Sequence, residues 1–138
     1  MIAYLDASVV LRLVLGEPDK LTEWRRVESA VASALTEVEC LRTLDRLGRA
    51  GALREQEVAA RRGEVYRLLE GVEIVDVARP ILRRASEPFP VPIGTLDAIH
   101  LATALAWRDA TETALVIATH DRALATAARS VGLQAIGD

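Results

Sequence analysis

The sequence predicts a three-layer α/β fold, with a central, mainly parallel sheet of about five strands covered by helices on both faces. Three observations point to it. Short apolar runs of strand length alternate with stretches of helical period along the chain, and that alternation implies parallel pairing through right-handed crossovers. At 138 residues and 51% hydrophobic, the chain can bury one substantial core, so residues 1–138 are expected to form a single domain. Aromatic residues supply only 4% of the chain, leaving a core of Leu, Val, Ala and Ile, which suits helices lying closely on a sheet.

Residues 2–5 (IAYL) read as a buried strand ending at Asp6, and Ala7 to Leu15 as a helix closed by Gly16 and Pro18. LTEWRRVES, from Leu21, predicts a short helix with Leu21, Trp24 and Val27 on one face, which makes Trp24 a core residue. Residues 31–35 (VASAL) predict a second strand. Thr36 then opens a long helix through Arg49, with Val38, Leu41, Leu44 and Leu47 on its apolar side and Gly48 and Gly51 at its end. A charged amphipathic helix follows from Arg54 to Leu69, its charges reading as a solvated face. Beyond Gly71, residues 72–77 (VEIVDV) predict a strand, and residues 79–86 a brief helix. SEPFPVPIGT carries Pro88, Pro90 and Pro92, which preclude regular structure and mark an ordered loop. Thr95 is expected to cap the helix LDAIHLATALAWR, residues 113–119 (TALVIAT) to form a buried strand, HDRALATAARSVG a helix ended by Gly132, and LQAI the last strand.

Composition removes several classes of function. A net charge of -3 argues against bulk electrostatic coating of nucleic acid but allows an enzyme that touches RNA locally. Sixteen of the seventeen basic residues are Arg, which genome composition explains as readily as phosphate binding. The lone Cys40 excludes an internal disulfide and a cysteine-rich metal cluster, and reads as a buried structural thiol in a reducing compartment. MIAYLDASVV has no basic n-region and carries Asp6 within its apolar run, unlike a signal peptide, and no apolar run is long enough to span a membrane. A cytoplasmic protein without membrane contact is expected.

In open parallel sheets, sites form beyond the carboxyl ends of the strands. Asp6 directly follows IAYL, and Asp121 follows TALVIAT with only His120 between, so sheet geometry puts both on one edge. Asp97 falls in the first turn of the helix behind the proline loop, and Glu39 in the first turn of the helix after VASAL. Singly, each has a structural role to fill: Asp6 and Asp121 as N-caps, Asp97 as a macrodipole partner, and Thr36-x-x-Glu39 as a capping box. Together they mean something else. Four carboxylates on one edge repel one another and have raised pKa values unless a cation joins them. Oxygen ligands without thiols or paired histidines suit Mg²⁺ or Mn²⁺, and hence hydrolysis of a phosphodiester, with the number of ions open.

YLDASVVL, LTEVECLR, LDAIHLATAL and ATHDRALATAARSVGL, taken in order over nearly the whole chain, resemble the PIN-domain nucleases, specifically VapC-type toxins. The resemblance implies that Asp6, Glu39, Asp97 and Asp121 are the catalytic, metal-coordinating acids, with Ser8 and Thr119 as polar neighbours holding carboxylates or metal-bound water. Glu37 is the rival to Glu39, although LT-x-x-E before a Leu-Arg step aligns on Glu39. The resemblance also implies an endoribonuclease acting on cellular RNA, a cognate VapB-like antitoxin and a homodimer. Some relatives carry a further acid near the last Asp, where this chain has His120 and Arg122, so a second metal stays open.

Arg42, Arg46 and Arg49 follow Glu39 on much the same helix side and could hold RNA phosphates, or pair with Asp45 at the surface. His100, one turn after Asp97, could be a ligand, but a lone His on an apolar helix is more often packed or hydrogen-bonded. His120-Asp121 lacks the further histidines of an HD-type site, Asp6-Ala7-Ser8 lacks the second Asp of an aspartyl-phosphate enzyme, and Ser8 has no G-x-S-x-G elbow. The remaining alternative is a PIN-like binding module that works through antitoxin or RNA-complex assembly.

Overall fold

A computed structural model describes all 138 residues. Its strands are β1 (Ile2–Leu5), β2 (Ser29–Ser33), β3 (Val72–Val75), β4 (Val116–Ala118) and β5 (Gln134–Ile136). Its helices are α1 (Ala7–Leu15), α2 (Ala34–Arg49), α3 (Glu55–Glu70), α4 (Arg79–Ala85), α5 (Thr95–Thr111) and α6 (Arg122–Ser130). The strands form one sheet in the order β3-β2-β1-β4-β5, and every pairing is parallel.

Alternation along the strands divides the core into two layers. Ala3, Leu5, Ala30, Ala32 and Ala118 pack with Val9, Val10 and Val14 of α1, Cys40 and Leu44 of α2, and Val65 and Leu69 of α3. Tyr4, Val31 and Ile117 face the other way, against Leu101, Ala104 and Leu105 of α5 and Leu124, Ala127 and Ala128 of α6. Alanines on the first face let three helices settle close to the sheet, so the predicted three-layer architecture is what forms.

The chain builds β2 and β3 outward on one side of β1, then crosses to build β4 and β5 on the other. The crevice between β1 and β4 is therefore a topological switch point, the position where open α/β sheets place their sites. Pairing of Leu5 with Ala118 brings the two strand ends level there.

Local differences from the sequence reading have identifiable causes. The second strand lies at Ser29–Ser33 rather than 31–35, because Ser33 takes the N-cap of α2 and its Oγ accepts from the Leu35 N–H at 3.1 Å. Thr36 therefore opens no helix and forms no capping box with Glu39; its hydroxyl donates to the Leu5 carbonyl at 3.3 Å. Glu39 moves from the expected first turn to the second. Gly94, not Thr95, occupies the N-cap of α5. The segment after Leu21 is a 3₁₀ turn, Thr22–Arg26, with Trp24 partly buried against the first core layer. No helix is long and apolar enough to cross a membrane.

Candidate functional site

Asp6 leaves β1 with its backbone N–H donating to the Ala118 carbonyl at 3.0 Å, which ties it to the end of β4. It occupies the N-cap position of α1, yet its carboxylate makes no capping bond, so the structural role available to it goes unused. Its Oδ2 accepts from the Ser8 hydroxyl at 2.6 Å and the Thr119 hydroxyl at 2.9 Å instead. Those hydroxyls also accept: Ser8 from the His120 N–H and Thr119 from the Asp121 N–H, each at 3.0 Å. Four hydrogen bonds thus lace the β1 and β4 ends together around one carboxylate that is only 8% exposed. Asp121 does cap: its Oδ1 accepts from the Ala123 N–H at 2.8 Å and the Leu124 N–H at 3.3 Å.

Asp97, in the first turn of α5, is half-buried and accepts no hydrogen bond from the protein. Burial raises its pKa above the ordinary carboxylate value; the charges of Asp121, Asp6 and Glu39 push it further up, against a smaller opposing pull from His100. Mutual repulsion, expected of carboxylates that share one sheet edge, is therefore present at Asp97.

Glu39 reaches the same edge from α2 and is held by a residue of the opposite layer. His100 Nε2 donates to Glu39 Oε1 at 2.5 Å, and Tyr4 OH bonds His100 Nδ1 at 2.8 Å. His100 is thus hydrogen-bonded within the core, as a lone histidine on an apolar helix is expected to be. Burial works to lower its pKa, but the hydrogen bond and charge of Glu39, with Asp6 and Asp97 behind it, outweigh burial and hold it above the ordinary imidazole value. Burial also drives the Tyr4 phenol far above its usual range. Cys40, fully buried, has its thiol pushed up to about 12 by burial and then by the charges of Glu39 and Asp6, which makes it an inert packing group. Glu37 is elsewhere, beside Tyr66, Leu69, Glu70 and Ile74 in a shallow cavity of about 280 Å³.

The donor set fits a divalent cation of the Mg²⁺ kind. Asp6, Glu39 and Asp121 each spend one oxygen on the protein and leave the other without a protein hydrogen bond, and Asp97 leaves both. No three acidic, histidine or thiol side chains converge to enclose an ion. The edge is an open acidic rim, suited to a cation that keeps waters and phosphate oxygens beside one or two carboxylates.

Three arginines extend from this edge along α2. Arg42 and Arg49 pair with Asp45 at 3.1 and 3.2 Å, and Arg46 donates to the Thr43 hydroxyl at 3.0 Å. These contacts are exposed, so each is weak and exchangeable. The Tyr4–His100 arm is the one feature of the site that sequence reasoning did not assemble; its signals were the D-x-x-H spacing on α5 and a tyrosine within an otherwise aliphatic buried strand.

The PIN domain family matches residues 3–130, a span that includes Asp6, Glu39, Asp97 and Asp121. The chain belongs to the PIN-domain family. Among curated relatives, it is 34% identical over 136 residues to the ribonuclease VapC47 of Mycobacterium tuberculosis, covering 94% of this chain and 91% of that protein. Among solved structures, it superposes with a TM-score of 0.69 on a chain of VapBC2 from Rickettsia felis bound to a promoter DNA fragment, at 14% identity over 98% of this chain and 97% of that one. A chain of a toxin-antitoxin complex from Klebsiella pneumoniae shares the PIN fold with a TM-score of 0.59, at 17% identity over 86% of each chain.

Proposed function

We propose that this PIN-domain protein, residues 1–138 working as one unit, is a metal-dependent endoribonuclease that serves as the toxin of a toxin-antitoxin pair. The observation that carries the catalytic reading is Asp97, a half-buried carboxylate with no protein partner, held above its ordinary pKa beside Asp121, Asp6 and Glu39 at the β1/β4 switch point. Such repulsion is costly to maintain in a site that merely folds, and a cation relieves it. Similarity to a relative named as a ribonuclease supports RNA as the substrate. The fold shared with a toxin-antitoxin complex supports a VapB-like antitoxin partner. A homodimer located in the cytoplasm completes the reading.

Asp6, Glu39, Asp97 and Asp121 would hold Mg²⁺ or Mn²⁺, which supplies Lewis-acid activation of water and neutralises charge on the scissile phosphate. Ser8 and Thr119 keep Asp6 oriented through its Oδ2, and so preorganise the edge before substrate arrives. Asp121 is oriented by the N-terminus of α6 through its Oδ1. Arg42 and Arg46 exchange their surface partners for backbone phosphates of the RNA. Attack of water at phosphorus then breaks the bond to the 3′ oxygen, which leaves as a hydroxyl.

Incubation of labelled RNA with purified protein tests this. Wild-type protein with Mg²⁺ or Mn²⁺ cleaves, whereas EDTA or Asp97→Asn abolishes cleavage. Unchanged cleavage by Asp97→Asn would place the activity outside this edge, and RNA binding without cleavage by the wild type would favour a binding module.

A further inference from the structure

We propose that Tyr4 and His100 act as a positioning arm that fixes the Glu39 carboxylate at the acidic rim, an inference that rests on the metal-centre reading above. The arm crosses the molecule. Tyr4 lies on the central strand and His100 on α5, both in the layer packed against α5 and α6, while Glu39 belongs to α2 in the opposite layer. The His100–Glu39 bond therefore ties the two helical layers across the carboxyl edge of the sheet, the edge that also carries Asp6, Asp97 and Asp121.

Packing alone does not explain these residues. Tyr4 is 0% and His100 1% exposed, and where the Tyr4 ring packs with Val31, Leu101 and Ile117 an apolar side chain of similar volume would carry no desolvation cost. Buried polar groups at such positions are kept satisfied, and here each nitrogen of the His100 ring has one partner. Glu39 as a carboxylate only accepts, so Nε2 of His100 carries a hydrogen whether the ring is neutral or charged. Nδ1 bonds the Tyr4 hydroxyl at 2.8 Å, accepting from it in the neutral ring and donating to it in the charged one, and in either state this bond keeps Nε2–H facing Glu39. Without it, the ring can place its hydrogen on Nδ1 and turn a bare Nε2 toward the carboxylate, which repels it. Tyr4 thus acts on Glu39 from two hydrogen bonds away. Glu39 Oε1 is held, and Oε2 keeps no protein hydrogen bond.

The test is Mn²⁺ binding, followed by electron paramagnetic resonance at one fixed pH, for wild type, Tyr4→Phe, His100→Leu, His100→Gln and Asp97→Asn, with folding checked by thermal melts in EDTA. Outer partners of metal ligands typically contribute about 10- to 100-fold in affinity. Tyr4→Phe is expected to weaken Mn²⁺ binding by about 10-fold and His100→Leu by up to about 100-fold. His100→Gln, whose side-chain amide can still donate to Glu39, restores most of it. Wild-type affinity in Tyr4→Phe and His100→Leu, with binding lost in Asp97→Asn, would overturn the arm and leave the metal centre standing. Wild-type affinity in Asp97→Asn would overturn the metal centre and the arm with it. Should His100→Leu not fold, ¹⁵N-histidine spectra of metal-free wild type and Tyr4→Phe decide. A protonated Nε2, with an Nδ1 signal that moves on loss of the Tyr4 hydroxyl, supports the arm, and an unprotonated Nε2 in the wild type overturns it.

Discussion

Replacing Thr119 by Val keeps the shape of a fully buried side chain and deletes one oxygen. That oxygen donates to Asp6 Oδ2 at 2.9 Å and accepts from the Asp121 N–H at 3.0 Å, so both losses fall where β1 and β4 end. A hydrogen bond to a charged group contributes about 1.5–3 kcal/mol, and orphaning a partly buried N–H costs about 1 kcal/mol more. Asp6 keeps its 2.6 Å bond from Ser8, which favours the low end of the first figure. The expected loss is about 2–3 kcal/mol, or a melting temperature lower by roughly 6–12 °C for a chain of this size. Denaturant titration in EDTA measures it. Ser8→Ala should cost a similar amount, and the double variant more than the two singles summed, because both hydroxyls serve the same carboxylate oxygen. A Thr119→Val protein within about 0.5 kcal/mol of wild type, or strict additivity in the pair, would refute the view that these hydroxyls hold Asp6.

Asp97 has a folded pKa above its unfolded value, so the folded state binds its proton more tightly and stability is lost as pH rises from the ordinary carboxylate range through the raised value. Asp97→Asn should therefore stabilise metal-free protein at pH 8, by less than about 1 kcal/mol for a half-exposed group, with the advantage vanishing near pH 3. Thermal melts across pH check this, and a variant less stable than wild type at pH 8 would contradict it. Glu39→Gln should remove RNA cleavage while Glu37→Gln, altered beside Tyr66 and Ile74, leaves it intact, so comparable losses would show that the rim is wrongly drawn. Cys40, with its pKa near 12, should resist iodoacetamide at pH 8 until the protein unfolds, and rapid labelling of folded protein would show its thiol to be accessible.

Hydrophobic period made most elements legible in the sequence, and the alternation of strand and helix was enough for a parallel three-layer fold. Boundaries slipped where two residues competed for one role. Ser33 and Thr36 are both N-cap residues, and only the contact of Thr36 with the Leu5 carbonyl, 31 positions away, gives Ser33 the cap. The strand read at 113–119 shortens to Val116–Ala118 because its paired neighbours span only Ala3–Leu5 and Gln134–Ile136. Asp6 and Asp121 were placed at the site by strand ends alone. Glu39 was preferred to Glu37 on the LT-x-x-E pattern and on its helix face, but the bond that holds it, to His100 61 positions on, has no local signature. The Tyr4–His100 contact spans 96 positions and has no local signature.

Crystals of the wild-type protein soaked in Mn²⁺ decide whether Asp6, Glu39, Asp97 and Asp121 make a divalent-metal site. An anomalous difference peak is expected at the carboxyl edge of β1 and β4, within about 2.0–2.3 Å of an oxygen of Asp97 or Asp6, and absent from Asp97→Asn crystals. A clean edge with Mn²⁺ bound elsewhere, or a peak that persists in Asp97→Asn, would rule out a metal site built on these four carboxylates.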